Sequence, residues 1–318
     1  MQSDYDVIIV GAGPAGIMAA LALTQSAQPR VLMLDKGPAL DKRHCPSREK
    51  GRCMHCATCA LMTGWGGAGA FSDGKLTLTT QVGGLLAEIR GETEAEALVG
   101  EVDDLWVRFG ADGAPYSGDL DQIEQVAARA ALAGLRLQHY PIRHLGTERS
   151  GDILGAMYLA LLDSGVAVRT RTEVQRVLTE NGRVRGVQTA DGQVLTARHV
   201  VVAPGREGAD WLQRLASELN LSLSVNPVDV GVRVELPAHI LQPLTDLLYE
   251  PKLIYFSTAF DDRVRTFCVC PFGEVVTEWA GDVLTVNGHS YAGKRTENTN
   301  FAVLVSKNFT EPFREPIA

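Results

Sequence analysis

Gly11-Ala12-Gly13-Pro14-Ala15-Gly16 carries the spacing G-x-G-x-x-G, and Asp35 stands 24 positions beyond its first glycine. Each glycine has its own mechanical use. Gly11 permits a tight turn, Gly13 lets a pyrophosphate approach the backbone with no Cβ between them, and Gly16 allows a helix to lie close against a strand. A helix opening here, with Pro14 and Ala15 in its first turn, offers N–H groups and a positive dipole end to phosphates. A carboxylate at Asp35 can accept hydrogen bonds from ribose hydroxyls. The chemistry is therefore the binding of an ADP moiety, which NAD and FAD share, and the motif alone does not separate the two.

A second group of reactive side chains follows. Cys53-x2-Cys56-x2-Cys59 has the spacing by which a short loop presents three thiolates to an iron–sulfur cluster, with Cys45 as a fourth ligand from upstream. The same residues, with His44 and His55 among them, fit a zinc site, a redox dithiol or unliganded thiols, and the spacing does not decide between them. Cys268 and Cys270 are two positions apart in a strand and share one face, so they do not readily chelate alone, and packing is their expected role. His139, His144, His239 and His289 are isolated in sequence, and no catalytic base is assigned.

These residues need elements to hold them. Residues 6–10 form a short apolar run suited to a strand buried on both faces, residues 14–26 place apolar side chains along a broad helical face, and residues 30–34 end a second strand at Asp35. From about residue 84 to 162 the periodicity turns helical, over 84–89, 94–109, 121–133 and 152–163. It changes to a period of two over 166–170, 173–178, 184–189 and 194–196, with Asn181-Gly182 and Asp191-Gly192 as turns, which predicts a β-meander. The apolar run 199–203 returns the chain to the sheet. Strands at 231–235, 253–256, 266–270 and 274–277 belong to a second, mixed α/β domain. The expected organisation is a discontinuous dinucleotide-binding domain over 1–83 and 164–215, a helical insertion over 84–163, and a substrate or cap domain over 216–318.

The 318 residues, 45% hydrophobic and 21% charged, are enough for a sizeable core. A formal net charge of −8 gives no general attraction to nucleic acid or anionic lipid, and no apolar run approaches the roughly 20 residues that cross a bilayer. The expectation is a cytoplasmic protein without a cleaved leader, acting on a small-molecule substrate or electron acceptor.

The run from Gly64 to Leu76, GWGGAGAFSDGKL, is the most specific further motif, and with it go VVVAPGREG over 200–208 and TFCVCPFGEVV over 266–276. With the N-terminal motif, these make the chain resemble the bacterial FAD-dependent, or NAD(FAD)-utilizing, dehydrogenases, a branch of the glutathione-reductase-like flavoproteins. The resemblance implies an α/β fold with a Rossmann-type FAD-binding domain, a central parallel sheet and a β-meander. It implies FAD as cofactor and hydride transfer through flavin N5, with NAD(P)H as one candidate reductant and direct use of an organic substrate as the other. It adds to Gly11, Gly13, Pro14, Ala15, Gly16 and Asp35 the candidate cofactor positions Lys36, Gly66, Gly67, Gly69, Ser72, Gly74 and Lys75. From further along the chain it adds Val174, Pro204, Gly205 and Arg206. Lys75 would place positive charge near the flavin. Such flavoproteins close with a C-terminal glycine-rich segment, and nothing after Asn300 resembles it, so the second domain is expected to be incomplete at its C-terminus.

Overall fold

The computed structural model describes residues 3–307 apart from 27, 47–52, 73, 146, 225, 281–282 and 291–294. The chain divides into two units, Met1–Gly74, Leu105–Ala111 and Arg149–Ser222 forming one and Lys75–Asp104, Asp112–Glu148 and Leu223–Ala318 the other.

The first unit is built on the strand Tyr5–Val10, whose Val7, Ile8, Ile9 and Val10 are all buried. Such a strand needs parallel neighbours on both sides and cover on both faces. Val31–Leu34 pairs with it in parallel on one side, with Ile8 opposite Leu32. Val194–Val202 pairs in parallel on the other, with Ile8 opposite Val200. Ala167–Arg169 extends the parallel set beyond Val31–Leu34, and Arg183–Thr189 with Val174–Glu180 add two antiparallel strands at the opposite edge, completing six. The hairpin between the last two turns on Asn181 and Gly182, both at positive φ as a tight two-residue turn requires. Pro14–Ser26 buries Ile17, Ala20 and Leu21, and Thr147–Asp163 buries Ile153, Leu154, Met157 and Leu161 at helical spacing.

Val194–Val202 is one nine-residue strand where the sequence suggested two. Its first residues pair antiparallel with Arg183–Thr189 and its last pair in parallel with Tyr5–Val10, so the hydrophobic period changes within one element.

The second unit carries a five-stranded antiparallel sheet in the order Val228–Pro237, Asn298–Lys307, Arg263–Cys270, Lys252–Phe256, Arg136–Gln138. Two further antiparallel pairs, Glu274–Ala280 with Val283–His289 and Lys75–Thr77 with Ile142–His144, and the helix Ala238–Leu248 complete its main elements. The stretch 84–163 is not purely helical. It contains the helices Leu86–Arg90, Glu92–Arg108 and Leu120–Leu132, but also the strands Arg136–Gln138 and Ile142–His144, and its residues are shared between the two units.

Candidate cofactor site

At the carboxyl ends of the parallel strands of the first unit, where open α/β sheets bind ligands, the backbone is tied closely together. Gly11 N donates to Leu34 O at 2.7 Å, and Ala203 N donates to Val10 O at 2.8 Å. Gly11 has φ +107°, and a Cβ there would lie 2.0 Å from Ala203 O. A Cβ on Gly16 would lie 2.0 Å from Gly11 O, so the helix rests on the turn with no room for a side chain. Gly13 differs: its Cβ would meet only Gly67 Cα, at 3.8 Å, and would otherwise project into open space.

Asp35 holds this junction together. Its Oδ2 accepts the amide of Ala12 at 2.8 Å, while its Oδ1 accepts the amides of Gly37 at 2.7 Å and Gly64 at 2.8 Å. Its own amide donates to Arg169 O at 3.0 Å and its carbonyl accepts from Thr172 N at 2.8 Å. One buried carboxylate thus binds the first glycine turn, the end of the second strand and the start of the glycine-rich loop. A carboxylate has about four acceptor positions, so three amides leave about one, on Oδ2.

A cavity of about 250 Å³ opens beside this junction. Of the residues proposed from sequence, Gly11, Gly13, Pro14, Asp35 and Lys36 line it, as do Gly67 and Gly69 from the glycine-rich loop. Val174, Pro204, Gly205 and Arg206 line it from the far strands. Its apolar wall includes Val10, Leu34 and Met62, and Trp211 closes one side with its indole N–H donated to Gln175 O at 2.8 Å. Charge gathers at its edge, where Lys36 Nζ lies 3.4 Å from Glu207 Oε1 and Arg206 reaches Met62 Sδ at 3.9 Å.

The remaining candidates do not line the cavity. Ala15 is exposed at the helix start, and Gly66 donates its amide to Ala12 O at 2.7 Å, which fixes one loop against the other. Ser72 donates to Gly69 O at 2.9 Å and accepts from the Gly74 amide at 3.2 Å, closing a turn. Lys75 belongs to the second unit, where its ammonium pairs with Glu250 at 2.9 Å and donates to Val269 O at 3.0 Å. Gly64-Trp65-Gly66-Gly67-Ala68-Gly69 repeats the G-x-G-x-x-G spacing but not its context. It runs into a 3-10 turn over Gly67–Phe71, and Trp65 is buried with its indole donating to Leu154 O at 2.8 Å.

Arg43 is the residue the sequence did not disclose. Only 7% exposed, it donates to the carbonyls of Ala60, Leu61, Trp65 and Gly67 at 2.7–2.8 Å and lies 4.6 Å over the Phe71 ring. Burial pulls its pKa down to about 10 against the opposing influence of Asp35 and Cys59. The loop carrying Met62, Thr63, Gly67 and Gly69 to the cavity is thus wound around one guanidinium. Thr172 and Glu173 also line the cavity without a sequence signature.

Among the described residues the four clustered cysteines are not gathered at one point. Cys53 and Cys56 are exposed, Cys45 and Cys59 half-buried, and among the described residues no three His, Cys, Asp or Glu side chains converge to hold a metal ion. Among the described residues no helix is long and apolar enough to cross a membrane.

A family model described as DAO, FAD dependent oxidoreductase, matches residues 6–291. An uncharacterized protein of Clostridium beijerinckii (strain ATCC 51743 / NCIMB 8052) is 26% identical over 313 residues, covering 94% of this chain and 51% of its own. A D-amino acid dehydrogenase of Methylobacterium sp. (strain 4-46) is 39% identical over 151 residues, 46% of this chain and 34% of its own. The chain spans about half the length of the first of these curated relatives, and the match to the second covers about a third of it. Among solved structures, glycine oxidase from Geobacillus kaustophilus superposes with a TM-score of 0.46 at 17% identity, over 97% of this chain and 85% of that one.

Proposed function

The chain belongs to the DAO family of FAD-dependent oxidoreductases, and from that premise we propose that its first unit holds the ADP half of FAD and that the protein dehydrogenates a small substrate of the amino acid class. The observation that carries the reading is the open space at Gly13 beside the Asp35 junction, since a pyrophosphate needs bare backbone there. The residues fit the group. The amides of Ala15 and Gly16, at the start of Pro14–Ser26, have no acceptor within the helix and suit a diphosphate, and the remaining acceptor position on Asp35 suits a ribose hydroxyl. Val10, Leu34 and Met62 keep water from the part of the cavity they cover. When bound, FAD supplies a two-electron acceptor for a hydride.

The substrate class rests on the partial likeness to D-amino acid dehydrogenases. The family match is broader than the glutathione-reductase-like branch that the motifs resemble, and NAD(P)H is accordingly one reductant to be tried among others. The test is anaerobic mixing of the FAD-loaded chain with D-amino acids, L-amino acids, glycine, NADH and NADPH, followed by loss of flavin absorbance. Bleaching by an amino acid is expected. Bleaching by NADH or NADPH alone, with every amino acid inert, would overturn the substrate class.

A further inference from the structure

Cys268 and Cys270, expected to pack as neighbours on one face of a regular strand, sit instead at a break in the ladder. The register between Arg263–Cys270 and Asn298–Lys307 shifts between Phe267 and Cys270, and Cys268 has φ +48°, a left-handed conformation that a residue with a Cβ rarely adopts. The break has a geometric consequence. In a regular strand, residues two apart have Cα atoms about 6.7 Å apart, near the upper end of the roughly 4.4–6.8 Å that a disulfide spans. Here the two sulfurs lie 3.9 Å apart.

Their surroundings are those of reactive thiols. Lys75 Nζ is 3.9 Å from Cys268 Sγ, and Arg233 Nη2 is 3.4 Å from Cys270 Sγ while also donating to Cys268 O at 2.8 Å. Glu250 fixes the bend from the other side, accepting the Cys268 amide at 3.0 Å while it pairs with Lys75. A cation thus lies against each sulfur, Lys75 shared with Glu250 and Arg233 shared with Asn300. The two thiols differ in access: Cys268 is half-buried and Cys270 is fully buried.

We propose that Cys268 and Cys270 form a reversible dithiol–disulfide pair that reacts with an external disulfide, Cys268 attacking and Cys270 resolving. The Cys268 thiolate attacks one sulfur of the external disulfide, forming a mixed disulfide and releasing the first thiolate. Cys270 passes its proton to that released thiolate and attacks Cys268 Sγ, forming the Cys268–Cys270 bond and releasing the second. The protein dithiol gives up two electrons and the external disulfide leaves as two thiols. The inference is independent of the amino acid reading, and its test requires neither bound flavin nor turnover.

The experiment is incubation of the full chain with oxidised glutathione, quenching with an alkylating reagent in denaturant so that buried thiols are reached, and peptide mass mapping. Cys268 and Cys270 should be linked to each other and protected from alkylation, and both should be alkylated after reduction with dithiothreitol. Cys270→Ser should accumulate a glutathione adduct on Cys268, whereas Cys268→Ser should leave Cys270 without one. Alkylation of both thiols in the oxidised wild-type chain would overturn the proposal, as would linkage of either to Cys45, Cys53, Cys56 or Cys59. The wild-type arm stands without the variants, so a folding defect in either serine variant leaves the answer intact.

Discussion

Asp35 and Gly64, 29 positions apart, are joined by a 2.8 Å hydrogen bond from the glycine amide to the carboxylate, which also accepts the amides of Ala12 and Gly37. The glycine turn and the glycine-rich loop are therefore anchored to the same side chain. Asp35→Asn would set amide hydrogens against at least one of three backbone N–H groups, because an amide has only one acceptor oxygen. Leaving one buried donor unpaired costs about 1–3 kcal/mol. Chemical denaturation of the flavin-free chain should show a loss of that order. A midpoint unchanged from wild type would mean the carboxylate is not the anchor.

The three glycines of the first motif should separate by phenotype. Gly11→Ala and Gly16→Ala place a Cβ 2.0 Å from a backbone oxygen and should lower the thermal midpoint or prevent folding. Gly13→Val points into open space, so the chain should fold while its FAD affinity falls at least roughly tenfold, about 1.4 kcal/mol. Circular dichroism and flavin titration separate the two outcomes. Normal FAD binding by folded Gly13→Val would place the pyrophosphate elsewhere.

Arg43→Lys retains the charge but exchanges a rigid fork for an ammonium with three donors, which cannot reproduce contacts to four carbonyls. The loop bearing Met62, Thr63 and Gly67 should loosen. The expected result is a stability loss on the order of 2 kcal/mol together with weaker FAD binding, read by denaturation and titration on the same sample. If affinity fell with no change in stability, Arg43 would be acting on the ligand rather than through the loop.

The opening strand, helix and second strand were legible because each signal is local: an apolar run, a glycine turn, an apolar stretch of helical length and a terminal carboxylate. The helix bounds inferred from those signals, 14–26, are those of the structure. The amide partners of Asp35 were not legible, because Gly64 reaches it only through the tertiary fold. Arg43 carries no pattern, since the four carbonyls it binds come from backbone, which sequence does not mark. Lys75 drew attention because it ends a glycine-rich run, and the structure gives it Glu250, 175 positions away, as its ion-pair partner. Asn298–Lys307 escaped notice because it begins Asn-Thr-Asn, yet Thr299 and Asn300 are fully buried between two strands, where Arg233 Nε donates to Asn300 Oδ1 at 2.7 Å.

Lys252 gives the second unit a pH signature. It is 3% exposed, between the rings of Tyr140 at 5.2 Å and Phe267 at 5.6 Å. Burial lowers its pKa to about 8, with Glu250 opposing and Arg265, Arg263 and Lys75 assisting. Below about pH 8 both folded and unfolded chains hold the proton, and the fold bears the cost of a buried charge. From about 8 up to the ordinary lysine value of 10.5 the unfolded chain binds more protons, so this residue's contribution rises with pH, by on the order of 3 kcal/mol in total. Lys252→Met keeps the apolar stem and should be more stable than wild type at pH 7, with the difference shrinking toward pH 10. A difference independent of pH would show that the ammonium is not desolvated.

The claim on which the account depends is that an ADP moiety occupies the cavity beside Asp35. Its most direct test is a fluorescence titration of the flavin-free chain with FAD, repeated in the presence of ADP or FMN. Saturable binding that ADP displaces and FMN does not is the predicted result. Displacement by FMN with ADP without effect, or no saturable binding of FAD by the folded chain, would contradict it.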